Sequence, residues 1–139
     1  MEKISRAGED YLETIVILGG SITHPVRGVD IATELDVTKA SVSKAIAALR
    51  KEGMVVQAPY GGVRLTPDGF ARGVAVLCRH RVLYAFLTQK LGISPEVAEE
   101  EACGIEHAIS DESFELWLAY AKRIGLQVKG LPRFTLEYN

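Results

Sequence analysis

Residues 29–66, VDIATELDVTKASVSKAIAALRKEGMVVQAPYGGVRLT, decide the fold of this chain. Val29 to Leu35 has the apolar spacing of a short helix, and the pair Asp36-Val37 follows it as a tight turn. Thr38 then caps a second helix that we expect to end at Gly53. The apolar positions of this second helix recur at helical spacing at Val42, Ala45, Ile46 and Leu49. Two helices joined by a tight turn predict a helix-turn-helix.

Two short apolar segments come next, Met54–Gln57 and Val63–Thr66, with Gly61-Gly62 between them. This arrangement predicts a β-hairpin, and a helix-turn-helix followed by a hairpin is a winged helix. Ahead of it, Glu9 to Leu18 has a helical pattern that Gly19-Gly20 stops.

Three further helices are predicted after the hairpin. Thr66-Pro67 starts one that runs to about Leu91, Ser94-Pro95 starts one to about Ile109, and Ser110 starts one to about Ile124. We therefore predict a mainly α fold with a small β-hairpin wing. A winged helix-turn-helix domain occupies residues 1–72 and a helical domain residues 73–139.

Composition is ordinary for a soluble globular chain, and we expect a cytoplasmic location. The 139 residues are 47% hydrophobic and 24% charged, with a net charge of −2. The segment from Thr38 to Arg72, however, contains six basic and two acidic side chains, so its net charge is +4. We expect no secretory signal, no membrane span and no disulfide framework from the two cysteines.

The second helix of the helix-turn-helix exposes a short polar face with cations, which fits the major groove of duplex DNA. The candidate DNA-binding residues lie on this face, just before the preceding helix and on the wing: Arg27, Thr38, Lys39, Ser41, Ser43, Lys44 and Arg64. Such faces are often only solvated, and winged helices also serve as protein-interaction modules. The turn, the +4 segment and the hairpin together favour DNA.

Cys103, Glu106 and His107 stand at i, i+3 and i+4, so a helix would place a thiol, a carboxylate and an imidazole on one face. Asp10 and Glu13 pair two carboxylates in the same way, and His80 lies in the middle of the long helix. Each has an ordinary explanation as core cysteine, helix-start acid or surface histidine. Their combination indicates a site for a divalent transition metal.

Three blocks of the sequence carry a family resemblance: Glu9–Glu13, Arg79-His80, and Glu100–His107 with Ser110–Glu112. Residues and spacing resemble the diphtheria toxin repressor and manganese transport regulator family, from about residue 5 to about residue 125. The resemblance implies a winged helix joined to a helical metal-binding and dimerisation domain, without an SH3-like third domain. It also implies a homodimeric repressor of metal-uptake genes that binds a pseudo-palindromic operator.

The resemblance implies two metal sites, one formed by Asp10, Cys103, Glu106 and His107, and a neighbouring one formed by Glu13, His80 and the shared Glu106. Asp10 and Glu13 resemble the manganese branch, whereas Cys103 resembles the iron branch. Tyr84 stands where the iron branch has a carboxylate. Thiolate and carboxylate ligands favour different metals, so we expect Fe(II) or Mn(II), with Co(II) or Zn(II) able to substitute in vitro.

Large apolar side chains recur in the final helices and predict a dimer surface, although an ordinary core stripe would look the same: Ile109, Phe114, Trp117, Leu118 and Ala121. Two other functions compete with the metal-dependent regulator. A winged-helix regulator could sense an organic ligand, with the Cys-Glu-His cluster structural. A metalloenzyme is disfavoured because no further general base or nucleophile accompanies the cluster, so we predict no enzyme.

Overall fold

Six helices and one two-stranded hairpin make up the part of the chain that the computed structural model describes, residues 4–57 and 61–130. This confirms the predicted mainly α fold with a β-hairpin wing. The chain divides into two units, Met1–Ala75 and Val76–Asn139. The predicted domain boundary between residues 72 and 73 stays a prediction.

The first unit contains α1 (Arg6–Ile17), α2 (Gly28–Leu35), α3 (Lys39–Lys51), β1 (Val55–Gln57) and β2 (Val63–Leu65). One apolar core joins all five elements. Leu12 and Ile15 of α1 and Ile31 of α2 are fully buried in it, as are Ile46 and Leu49 of α3 to within 2%. The core therefore fixes α1 against the helix-turn-helix.

The turn between α2 and α3 has the geometry that its sequence predicts. Asp36 adopts a left-handed conformation with φ of 53°, which a short polar side chain tolerates. The Thr38 hydroxyl accepts a hydrogen bond from the Ser41 amide at 3.1 Å and so caps α3. The wing strands β1 and β2 pair antiparallel, with Val55 opposite Leu65. Val26 extends this sheet by an isolated bridge to Val63. The predicted turn residues Ala58, Pro59 and Tyr60 lie outside the described residues.

The remaining helices are α4 (Pro67–Gln89), α5 (Pro95–Glu106) and α6 (Asp111–Arg123). Within the second unit, Leu83 and Leu87 of α4 pack against Ala98 and Ala102 of α5. Helix α5 ends at Glu106, three residues before the predicted Ile109, and residues 107–109 form a turn that leads to the Ser110 cap of α6. No helix in the described ranges has the length and apolar character to cross a membrane. Residues 131–139 of the predicted tail lie outside the described residues.

The predicted dimer stripe on α6 stays a prediction, and the burial of its residues bears on it. Phe114 and Leu118 are each 8% exposed and Ala121 is 4% exposed, so their own chain already covers them. The exposed apolar side chains of this helix are Leu116 and Tyr120, at 70% and 44%. Ile109 and Trp117 are half-buried. Helical spacing identifies an apolar face of α6, but it does not distinguish a face buried in the core from one buried in a dimer interface.

Gly69 in the first turn of α4 provides a test of this packing. A Cβ atom at Gly69 would overlap the carbonyl oxygen of Met54, whereas one at Gly28 would meet nothing closer than 3.9 Å. We expect Gly69→Ala to lower the free energy of unfolding by about 2–3 kcal/mol, because backbone has to move. Gly28→Ala, the matched control, should change it by less than about 0.5 kcal/mol. Urea denaturation followed by circular dichroism measures both, and equal stabilities would contradict the packing.

Candidate metal centre and DNA-binding surface

The buried face of α5 ends in a carboxylate. Ala98, Ala102 and Glu106 stand four residues apart along the helix, and each is 0% exposed. The two alanines are small enough for α5 to pack closely on Leu83 and Leu87 of α4. Close packing leaves the Glu106 carboxylate beside α4 without contact to water. A buried carboxylate is costly unless other groups compensate its charge.

His80 of α4 is the first compensating group. Its Nδ1 atom lies 2.8 Å from Oε2 of Glu106, and its Nε2 atom lies 2.9 Å from Oε1 of Glu99. Because a carboxylate only accepts hydrogen bonds, an imidazole whose two nitrogens each bond a carboxylate carries a proton on both nitrogens. Burial alone would lower the pKa of His80, but the hydrogen bonds to Glu106 and Glu99 outweigh it and raise the pKa to about 9.

Cys103 and His107 complete the cluster in the second unit. The ligand atoms of Cys103, Glu106 and His107 lie within 4.8 Å of one another. His107 Nε2 is 3.3 Å from Oε1 of Glu106, and this buried oxygen accepts no hydrogen bond from the described residues. A sulfur, a carboxylate oxygen and an imidazole nitrogen form a donor set for a divalent transition cation. Cys103, Glu106 and His107 are therefore suited to hold a divalent transition metal ion.

Asp10 and Glu13 lie on α1 in the first unit, three residues apart and both half-buried. Neighbouring contacts within that unit hold this helix in place. Arg72 donates a hydrogen bond to Oε2 of Glu9 at 2.9 Å, and Gly73 allows the start of α4 to approach the Leu12 carbonyl. The two carboxylates are thus carried by a helix that is anchored in the DNA-reading unit.

The sequence interpretation missed two residues of the second unit. Glu99 forms a hydrogen bond with His80. Glu99 stands four residues before Cys103 on α5, and this spacing would have placed both side chains on the same helix face. Asp111, at the start of α6, forms an ion pair with Arg79, whose guanidinium also lies 5.6 Å from the centre of the Phe114 ring. This pair joins α4 and α6 next to His80, and no spacing signal predicts it.

The predicted DNA-reading side chains of α3 share one solvent-exposed face: Thr38, Lys39, Ser41, Ser43 and Lys44. The opposite face buries Val42, Ile46 and Leu49, as predicted, while Ala45 is half-buried. Arg27 is exposed and forms an ion pair with Asp30 at 2.9 Å. Arg64 stands on β2 of the wing and is half-buried. All seven predicted residues belong to the first unit.

The fold and the cluster define a winged-helix DNA-binding protein with a metal-ligand set. Residues 3–63 match the family model described as iron dependent repressor, N-terminal DNA binding domain. Residues 66–132 match iron dependent repressor, metal binding and dimerisation domain. The chain belongs to this family of metal-dependent transcriptional repressors, which confirms the resemblance found in the sequence. The family comprises regulators, so the expectation that the chain is no enzyme is also confirmed.

Individual relatives are similar over most of the chain. An HTH-type transcriptional regulator of Methanocaldococcus jannaschii is 34% identical over 81% of this chain and 90% of its own length. The transcriptional regulator MntR of Salmonella typhimurium is 35% identical over 84% of this chain and 73% of its own length. The structure of the manganese regulator SloR is 27% identical with a TM-score of 0.71. That match covers 83% of this chain, which spans only 53% of SloR.

The His80 bonds predict how the stability of the metal-free protein depends on pH. The pKa of His80 is higher in the folded chain, about 9, than its ordinary value of 6.5. The stabilisation of the fold by protonated His80 is therefore fully present below pH 6.5 and is lost as the pH rises through about 9. In chelator, we expect the free energy of unfolding to fall by on the order of 2–3 kcal/mol across this window.

Urea denaturation at pH 6, 7.5 and 9.5 measures this fall, with His80→Gln as the control because glutamine does not titrate. The variant should lack most of the decline. An equally steep decline in His80→Gln would assign the pH dependence to other groups.

Proposed function

We propose that this chain is a homodimeric cytoplasmic repressor that binds operator DNA when Fe(II) or Mn(II) occupies its ligand cluster. The observation that carries the proposal is the fully buried Glu106 carboxylate, with His80 at 2.8 Å and His107 at 3.3 Å. A regulator that responds to an organic ligand would have no need of this donor set. Family membership also favours metal dependence over that alternative.

The proposed ligands come from both units. Asp10, Cys103, Glu106 and His107 form one site, and Glu13 and His80 form a second site that shares Glu106. When bound, a divalent cation supplies the positive charge that compensates these carboxylates and the thiolate. To ligate the cation through one ring nitrogen, His80 would give up one of its two N–H protons. Co(II) and Zn(II) suit the same donors in vitro.

Packing in the first unit supports a coupling between metal binding by α1 and DNA binding by α3. Helix α1 carries Asp10 and Glu13, and its Leu12 and Ile15 share the apolar core with Ile46 and Leu49 of α3. Because packed cores are nearly incompressible, a constraint on α1 also constrains α3. Ligation of Asp10 and Glu13 would thereby fix the direction of the exposed polar face of α3.

A homodimer would present two copies of α3 to a pseudo-palindromic operator with half-sites about 34–36 Å apart, or a multiple of that spacing. We assign the dimer contact to the apolar surface around a recess of about 280 Å3 lined by Phe86, Leu116, Trp117 and Tyr120. Its support is the high exposure of Leu116 and Tyr120, together with the family model that describes residues 66–132 as a dimerisation domain.

Fluorescence anisotropy on DNA from upstream of the protein's own gene tests the proposal. The titration is run anaerobically, in chelator and then with Mn(II) or Fe(II). We expect tight binding only with metal, and the ranking of the two metals identifies the physiological type. Equal binding in chelator would contradict the proposal and make the cluster structural.

Two variants separate metal binding from DNA reading. Glu106→Gln keeps the shape of the side chain but removes the carboxylate charge, so it should lower metal affinity at least tenfold and abolish metal-activated DNA binding. Lys44→Ala should weaken DNA binding about two- to tenfold and reduce its salt dependence, with metal affinity unchanged. Calorimetric metal titration and anisotropy measure the two effects. Loss of both activities in Lys44→Ala would contradict this separation.

A further inference from the structure

The loop between α1 and α2 is bound to the wing. The Leu65 amide of β2 donates a hydrogen bond to the Ser21 carbonyl at 3.0 Å, and Val26 exchanges two backbone hydrogen bonds of 2.8 Å with Val63. The Arg64 guanidinium lies 3.4 Å from the Ile22 carbonyl and donates to it. The residues between Ser21 and Val26 are therefore held beside the wing strand in a fixed position.

Hydrogen bonds within this loop hold Nδ1 of His24 beside two hydroxyl groups. The Ser21 hydroxyl oxygen accepts from the backbone amides of Thr23 and His24, at 3.2 and 3.0 Å. Two accepted bonds use both of its lone pairs, so towards Thr23 or His24 the Ser21 hydroxyl can act only as a donor. The Thr23 hydroxyl lies 3.1 Å from Nδ1 of His24, and the Ser21 hydroxyl lies 3.4 Å from it.

The distances allow two arrangements, one in which the Thr23 hydroxyl donates to Nδ1 and one in which Nδ1–H donates to the Thr23 oxygen. A neutral imidazole that accepts at Nδ1 carries its proton on Nε2. Nε2 takes part in no hydrogen bond with the described residues, and the His24 side chain is exposed. Nε2 of the exposed imidazole is thus available to a partner that comes from outside the chain.

The charge around the loop favours an anionic partner. Between Glu13 and Asp30 the sequence contains no acidic residue, and the wing segment between Glu52 and Asp68 contains none either. Arg64 adds a cation on the adjacent strand. An exposed imidazole beside an arginine, in segments of sequence without acidic residues, suits a phosphate oxygen.

We propose that the loop Ser21–His24 is a DNA-backbone contact, in which His24 donates its Nε2 proton to an operator phosphate next to the wing. Ser21 and Thr23 act as positioning residues that fix the tautomer of His24. This inference rests on the proposed DNA-binding function. It extends the contact surface from α3 and the wing to the loop between α1 and α2.

Anisotropy on the operator at pH 8 with saturating metal tests the contact. His24→Ala should weaken binding of the dimer about five- to tenfold, because each protomer loses one hydrogen bond. The dependence of affinity on salt should stay unchanged, since a neutral donor releases no counterion. His24→Lys should recover the affinity and steepen the plot of log K against log salt concentration by about 0.9 per protomer. Lys90→Ala, an exposed change in the second unit, is the control and should bind like wild type.

Thr23→Val tests the positioning role, because it removes a hydroxyl and keeps the shape. It should weaken binding about two- to threefold while His24 is still present. Two-bond 1H–15N spectra of the imidazole identify the tautomer directly, and we expect Nε2–H in the wild type and a mixture in Thr23→Val. An Nδ1–H tautomer in the wild type would overturn the proposal.

The outcomes distinguish this contact from the function on which it rests. If wild type binds DNA with metal and His24→Ala binds equally well, the loop contact is wrong and the proposed function stands. If His24→Lys leaves the salt dependence unchanged, no phosphate lies near the loop, and the contact is again wrong. If wild type binds no operator with any metal, the proposed function fails and the contact fails with it.

Discussion

The hydrogen bond between the buried Glu106 carboxylate and His80 is the constraint on which the second unit depends. A carboxylate with 0% exposure needs a compensating charge, and His80 supplies it by keeping both of its protons. Glu99 holds the other side of the same ring. In the proposed function, a bound cation would take over the charge compensation that His80 gives to Glu106 in the metal-free chain. The metal-free chain is thus stabilised by the residues that would release protons on binding.

Helix α5 reaches this geometry through its smallest side chains. Ala98 and Ala102 allow a close approach to Leu83 and Leu87, and the same helix face then delivers Glu106. A large residue at either alanine would move the carboxylate away from His80. In the first unit, α1 and α3 are linked by packing. The buried residues of α1 belong to the same apolar core that positions α3, the proposed DNA-binding helix. Packing, rather than any flexible connection, therefore carries the proposed signal.

Local sequence patterns predicted the elements well. The helix caps, the tight turn at Asp36-Val37 and the glycine stops depend on residues less than five positions apart, so spacing alone reveals them. The pattern was ambiguous where one signal has two physical meanings. The apolar stripe with Phe114, Leu118 and Ala121 is the inner face of α6, and helical periodicity does not distinguish a core from an interface.

By itself, the sequence determined the winged helix, the family, and the grouping of Cys103, Glu106 and His107, because each of these depends on short spacings or on motif order. Only the tertiary structure decided the charge state of His80, the role of Glu99 and the pairing of Arg79 with Asp111. Those contacts join residues 19 to 32 positions apart. Their distances follow from how α4, α5 and α6 pack, and their energetics follow from burial, which a sequence pattern does not report.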